Sequence, residues 1–271
     1  MTNRTLIIVA LILLTIGPAG LTQAEMLPAN KSRAGVPPFQ IIKEIIQHNQ
    51  KTTAKATIHP ARTDQNHIPY LTWLADSDDR VQPQLILPEA QGKIYTVRNL
   101  ANQFGLSTGA IDFGVLHLLT PVLLITGNTD NLAIRLFMEG YLDLEPEIRQ
   151  ELDHLHLPLV GVRQESGAEA TSTFEEQLLS NIEKNVDYQV EQASWRYKER
   201  VQTGRLIIVG GVIDLGNLYG HGPDRLVIIN VNNDKDADSI RRIQAISTIN
   251  PKFIEIIGRQ KPQPVEKKEK K

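Results

Sequence analysis

Cysteine is absent from all 271 residues. That excludes any disulfide and any thiolate metal site. The formal net charge is only −2, so the chain lacks the basic surplus that gathers nucleic acid or an anionic bilayer. Apolar runs long enough to cross a membrane, which takes ~20 residues, are missing as well. No internal repeat, phosphate-binding glycine loop or Ser/His/Asp arrangement stands out. What the chain does have is 41% hydrophobic residues, enough at this length for one sizeable core with terminal extensions.

The N-terminus reads as a targeting segment. Arg4 supplies a positive start, Thr5–Ile16 is an apolar run of signal-peptide length, Gly17-Pro18 breaks it, and Ala24 offers a cleavage point. Residues 1–24 are therefore expected to direct export, periplasmic or secreted, with no stable membrane insertion after cleavage; an uncleaved N-terminal anchor is the competing reading. Residues 25–38 read as a linker rich in Pro, Gly, Ser and Lys, with a formal glycosylation sequon at Asn30-Lys31-Ser32.

From Phe39 to about Gln50, Ile41, Ile42, Ile45 and Ile46 recur at helical spacing and predict an amphipathic helix. Strands are then expected at Pro69–Leu74, Lys93–Arg98, Pro121–Thr126, Arg205–Gly211 and Leu226–Val231, the last two paired with each other. Helical stretches are expected near Gln82–Leu87 (a short turn), at Gly109–Leu119 and at Asp236–Thr248. Strands separated by helices predict an α/β fold with a mainly parallel central sheet flanked by helices. The final charged residues, Glu266–Lys271, have no apolar partner and are expected to be disordered. The domain is read as residues 39–257, with a charged tail at 258–271.

Three motifs carry a family resemblance. Leu71–Val81 contains Asp76-Ser77-Asp78-Asp79-Arg80, Arg98-Asn99-Leu100-Ala101-Asn102 ends the second strand, and Leu123–Leu132 contains Gly127-Asn128-Thr129-Asp130-Asn131. In this order they resemble the β-class carbonic anhydrases, whose corresponding runs are Cys-x-Asp-x-Arg, Arg-Asn-x-Gly-Asn and Gly-His-x-x-Cys-Gly. Asn185–Val190 and Thr203–Asp214 resemble the family's late helix and fourth strand. The likeness spans roughly Phe39 to Val231. It departs from the pattern in a shortened segment between Asp143 and Ser172 and in a glycine-rich loop at Gly216–Gly222.

The resemblance implies a homodimer or higher oligomer, with the N-terminal helical arm packed across a partner subunit and its isoleucines covered there. It also implies a Cys₂His zinc site with an Asp–Arg dyad beside it. The dyad is present as Asp78 and Arg80, expected here as a buried charge-assisted pair closing a loop. The three zinc-ligand positions are instead Asp76, Asn128 and Asn131. Amide oxygens are weak donors for zinc, so the family's zinc is expected to be absent and no other cofactor is implied. The expected function is a non-catalytic binding or scaffold role with an unidentified protein partner and no nucleic acid. The alternative is a carbonic anhydrase-type lyase, or a related activity, through a repurposed site.

Three readings of the remaining side chains stay open: an all-oxygen cage for Mg²⁺ or Ca²⁺ from Asp76, Asp78, Asn128 and Asn131; a small-anion seat on Arg80 and the backbone amides near Gly127; or a cluster in which the two Asn amides and Asp76 satisfy one another. Of the histidines, His117 is expected to be a satisfied core or surface histidine on a helix, His154 and His156 are expected in a loop, and His221 lies in a glycine-rich turn.

Overall fold

The computed structural model describes residues 41–47, 69–88, 90–160 and 173–259. The expected signal segment, the linker and the chain beyond Arg259 lie outside those residues. Two units are distinguished, Met1–Arg62 and Thr63–Lys271. In the first, residues 41–47 form helix α1 with Ile41, Ile42, Ile45 and Ile46 exposed.

The second unit is built on five strands: β1 (Leu71–Asp76), β2 (Ile94–Asn99), β3 (Val122–Asn128), β4 (Ile207–Asp214) and β5 (Arg225–Val231), in the order β2-β1-β3-β4-β5. The first four pair in parallel and β5 closes the row antiparallel to β4. Strand β1 is buried at every position, as a parallel strand covered on both faces must be. Each strand found lies within a few residues of its expected span. At the carboxyl ends of β1, β3 and β4 the ladder runs past the apolar stretch to take in Asp76, Asn128 and Asp214. Hydrogen bonding, not hydropathy, ends a strand.

Along β1 the side chains alternate between the two faces. Leu74 joins the larger core with Leu123, Ile125, Val186 and Val190; Trp73 and Ala75 join a smaller one with Leu124 and Ile213. Trp73 is fully buried, and its indole N–H donates to Thr126 Oγ1 at 2.9 Å, tying β1 to β3.

Helices flank the sheet: α2 (Thr108–Asp112), α3 (Leu132–Glu139), α4 (Pro146–Asp153), α5 (His156–Leu159), α6 (Phe174–Arg196), α7 (Lys198–Gln202), α8 (Ala237–Arg241), α9 (Gln244–Ser247) and α10 (Pro251–Ile254). The expected helix at Gly109–Leu119 is divided into α2 and a π-turn at Phe113–His117, after which Leu119 is left-handed. The expected Asp236–Thr248 helix is likewise broken into α8 and α9, and only a 3₁₀ turn, Pro83–Leu85, forms near Gln82–Leu87.

The 23-residue α6 starts on a capping box, Thr173 with Glu176, and lies across β3 and β4. It sits so close that a Cβ on Gly127 would fall 2.8 Å from Ile182 Cγ2. Glycine at the end of β3 is what lets the helix settle there. No helix among the described residues is long and apolar enough to cross a membrane.

Candidate functional site

Strand β1 has β2 on one side and β3 on the other, so the chain's path reverses between β1 and β3. In parallel α/β sheets the crevice beyond the carboxyl ends at such a reversal is where ligands are bound. The residues delivered there are Asp76, the last of β1, and Asn128, the last of β3. The loops that follow add Asp78, Arg80, Asp130 and Asn131. All three expected ligand positions and the dyad therefore meet at one place.

They form a continuous hydrogen-bonded chain. Asp76 is buried, and its Oδ1 accepts the Ala101 N–H at 2.6 Å; the Asn131 amide bonds the same carboxylate. Asn131 Nδ2 donates to Asn128 Oδ1 at 3.2 Å, and its Oδ1 caps α3 by accepting the Ile134 N–H at 2.9 Å. Asn128 Nδ2 donates to Asp78 Oδ2 at 3.0 Å. Arg80 then grips Asp78 with its backbone N–H (2.8 Å), Nε (2.9 Å) and Nη2 (2.6 Å).

Beyond the dyad the chain continues to residues the sequence did not single out. Arg80 Nη1 reaches Asp130 Oδ2 at 2.8 Å, and Nη2 donates to the Asp130 carbonyl at 3.0 Å. Arg135 links Asp130 to Glu175. The expected buried pair is thus only half buried: the Asp78 side chain is 7% exposed but that of Arg80 is 45% exposed. Arg98 is the other residue missed. Its guanidinium donates to the carbonyls of Asp78 (3.1 Å) and Val81 and lies 5.5 Å from the Trp73 ring centroid, fixing the 76–81 loop from below. Its place in the Arg-Asn-x-x-Asn run was the available signal. An open cleft of about 540 Å³, lined by Ser77, Asp78, Asp79, Gln82, Thr96 and Arg98, adjoins the cluster.

The two acids titrate in opposite directions. Burial pushes the Asp76 carboxyl above its ordinary value, against the pull of the Ala101 and Asn131 hydrogen bonds. For Asp78 burial also pushes upward, but the Arg80 hydrogen bonds and charge, helped by Asn128, outweigh it and hold the carboxyl low. Asp78 therefore stabilises the fold above the ordinary value of 3.8, and that contribution is lost as pH falls through its lower folded value. Asp76 contributes below 3.8 and loses that contribution as pH rises through its raised folded value. In urea titrations, Asp76→Asn is expected to gain on the wild type as pH rises above about 4, whereas Asp78→Asn loses its deficit as pH falls below it. A difference independent of pH for either variant would contradict the assignment.

The family model described as Carbonic anhydrase matches residues 71–219, more than half of the chain and all of the site. The chain belongs to the β-carbonic anhydrase family. Solved structures with the same fold include a tetrameric β-carbonic anhydrase of the filamentous ascomycete Sordaria macrospora (TM-score 0.57, 17% identity, covering 70% of this chain and 95% of that one). The Coccomyxa β-carbonic anhydrase in complex with acetazolamide is similar at TM-score 0.56 and 15% identity, covering 76% of this chain and 92% of that one. CafA of Aspergillus fumigatus follows at 0.52 and 19%, covering 75% and 94%. At these identities the likeness is one of fold. No curated protein matches the chain in sequence.

The β-carbonic anhydrase zinc does not fit the residues present. The donor set holds no imidazole and no thiolate, and the two amides are neutral, weak ligands. Each is also committed: Asn128 Oδ1 to Asn131, Asn131 Oδ1 to the α3 terminus, and Asp76 Oδ1 to Ala101. The oxygen-cage reading meets the same obstacle, because both Asp78 oxygens are taken by Arg80 and Asn128. Among the described residues no three His, Cys, Asp or Glu side chains are grouped as metal ligands would be. The anion seat fares no better, since Arg80 is spent on Asp78 and Asp130 and Asn131 occupies the cap.

The described histidines lie elsewhere. His117 is exposed and stacks on Phe113 at 5.6 Å. His156, expected in a loop, instead opens α5 and shares the Tyr141 hydroxyl, which also donates to Asp153 at 2.6 Å. A proline-initiated helix, α4, sets up that contact, and no apolar periodicity announced it.

Proposed function

We propose that this β-carbonic anhydrase homologue holds no zinc at the Asp76–Asn128–Asn131 position, does not hydrate carbon dioxide there, and serves as a non-catalytic binding or scaffold protein. The observation that carries the proposal is the unbroken hydrogen-bond chain through all three ligand positions. In the family, a zinc-bound water brought to a pKa near 7 supplies the nucleophile. Here Asp78 is instead held by an arginine and an amide, so it is not free to orient an attacking water. Buried polar groups at a site without a metal need other partners, and the two amides supply them.

The N-terminal Arg4 and apolar Thr5–Ile16 support export to the periplasm or medium. The exposed isoleucine face of α1, and the tetrameric state of the Sordaria β-carbonic anhydrases, support assembly as a homodimer or larger.

The test is elemental analysis by inductively coupled plasma mass spectrometry on the purified mature protein, with a carbon dioxide hydration assay on the same sample. No stoichiometric metal and no hydration above the uncatalysed rate are expected. Zinc at about one per chain, or hydration abolished by Asp78→Ala, would overturn the proposal and restore the lyase reading.

A further inference from the structure

The sheet's β5 edge is closed by the chain's own C-terminal segment. The Ile228 N–H donates to the Ile256 carbonyl at 3.2 Å and the Gly258 N–H donates to the Ile228 carbonyl at 2.8 Å, a parallel bridge between Ile228 and Ile257. Both main-chain groups of Ile228 that face away from β4 are thereby used. Ile257 is buried with Val231 and Ile240, and Ile228, Ile243 and Ile254 pack around them. The chain reaches this position through Gly258 at φ +105°, where a Cβ would lie 2.4 Å from Ala237 Cβ.

Arg259 fastens the end. Its Nε lies 3.1 Å from Glu183 Oε2 and its Nη2 2.6 Å from Asp187 Oδ2. Those acids sit four residues apart on α6, on one helical face. Glu183 also accepts the Tyr219 hydroxyl at 2.6 Å, and Asp187 accepts Asn230 Nδ2 at 2.8 Å and pairs with Lys235. Arg259 thus bridges two neighbouring carboxylates, one of them shared with Lys235, that β5, the 216–222 loop and α6 already hold in place. Gly258 and Arg259, read from the sequence as the start of the charged tail at 258–271, make these contacts with β5 and α6.

An open strand edge presents unpaired N–H and C=O groups and invites another strand, and proteins cover such edges explicitly. Two copies of one edge are self-complementary about a two-fold axis, in the antiparallel sense. We infer that Ile256–Arg259 is a strap that closes the β5 edge against a second copy of this chain, and that detaching Arg259 opens the edge to strand pairing between chains. The occupant is a second copy because its β5 carries the same row of groups in the order that antiparallel pairing requires. Association through this edge would be independent of the zinc question and of the α1 face.

The experiment uses the full chain. Sedimentation velocity over a hundred-fold concentration range is combined with amide hydrogen exchange for wild type, Arg259→Glu and Arg259→Lys. Arg259→Glu sets three carboxylates together. It is expected to speed exchange of the Ile228 amide at least ten-fold at low concentration, to double the assembly mass as concentration rises, and to recover Ile228 protection in the heavier species. Arg259→Lys should keep the wild-type mass and most of the protection. If Ile228 exchange rises while the mass stays constant throughout, the strap guards nothing and the inference fails; unchanged Ile228 exchange would also defeat it. Should Arg259→Glu lose protection of core amides such as Ile208, Arg259→Gln is read by the same two criteria.

Discussion

Replacing Asp76, Asn128 and Asn131 together by Cys, His and Cys is expected to convert the purified chain from one without zinc to one holding about one zinc per chain. The expectation rests on where the backbone puts these positions. Asp76 and Asn128 end adjacent parallel strands, β1 and β3, and Asn131 is the N-cap of α3 immediately beyond. The sheet register holds the first two, and the helix start holds the third. On the proposal made above, donor chemistry is what keeps zinc out: one committed carboxylate and two neutral amides stand where thiolates and imidazole would bind. Uptake is read by elemental analysis after dialysis and, with cobalt in place of zinc, by thiolate charge-transfer absorption. Single replacements should bind weakly, because one or two good donors do not close a tetrahedral site. If the triple variant folds with wild-type circular dichroism and takes up no metal, the framework itself has moved and the donor set is not the whole cause.

Asn131→Ala is expected to cost about 3 kcal/mol of stability, the largest effect of any single change in the cluster. Three losses coincide. The Ile134 N–H loses its cap, Asn128 Oδ1 loses its donor, and the buried Asp76 carboxylate is left with backbone N–H donors alone. A lost cap is worth about 1 kcal/mol, and a buried group left unpaired about 1–3 kcal/mol. The terms are coupled through one side chain and do not simply add. Asn131→Ser keeps a cap oxygen and should recover about 1 kcal/mol, while Asp79→Ala, on an exposed side chain, should stay within about 0.5 kcal/mol of wild type. Urea midpoints at neutral pH decide the order. If Asn131→Ala matches Asp79→Ala, the chain of hydrogen bonds contributes little, and the residues fill the site without holding it together.

Much of this was legible in the order of residues. Continuous apolar runs such as Leu71–Leu74 and Val122–Thr126 marked parallel strands because both faces of such a strand are covered. The motifs at 76–80, 98–102 and 127–131 placed the site and showed which residues stand at the ligand positions. Less of the helical layer could be read. The segment from Leu132 to Leu159 is broken at Gly140 and Pro146 into helices of at most 8 residues, so its helices were hidden, and with them the Tyr141–Asp153–His156 contact. A single helix at Gly109–Leu119 was expected from periodicity, yet it widens into a π-turn at Phe113–His117, where Gly114 lies against Thr72 of β1.

By itself the sequence determined the family, the sheet and the absence of thiolate and imidazole from the three ligand positions, because residue identity and hydropathic pattern are local properties. Tertiary structure alone decided who bonds whom. Arg80 reaching Asp130 across fifty residues, Arg98 beneath the 76–81 loop, and Arg259 clamped between Glu183 and Asp187 depend on strand register and on the seating of α6. A guanidinium takes whichever carboxylates the fold brings within about 3 Å, and distance along the chain does not specify that.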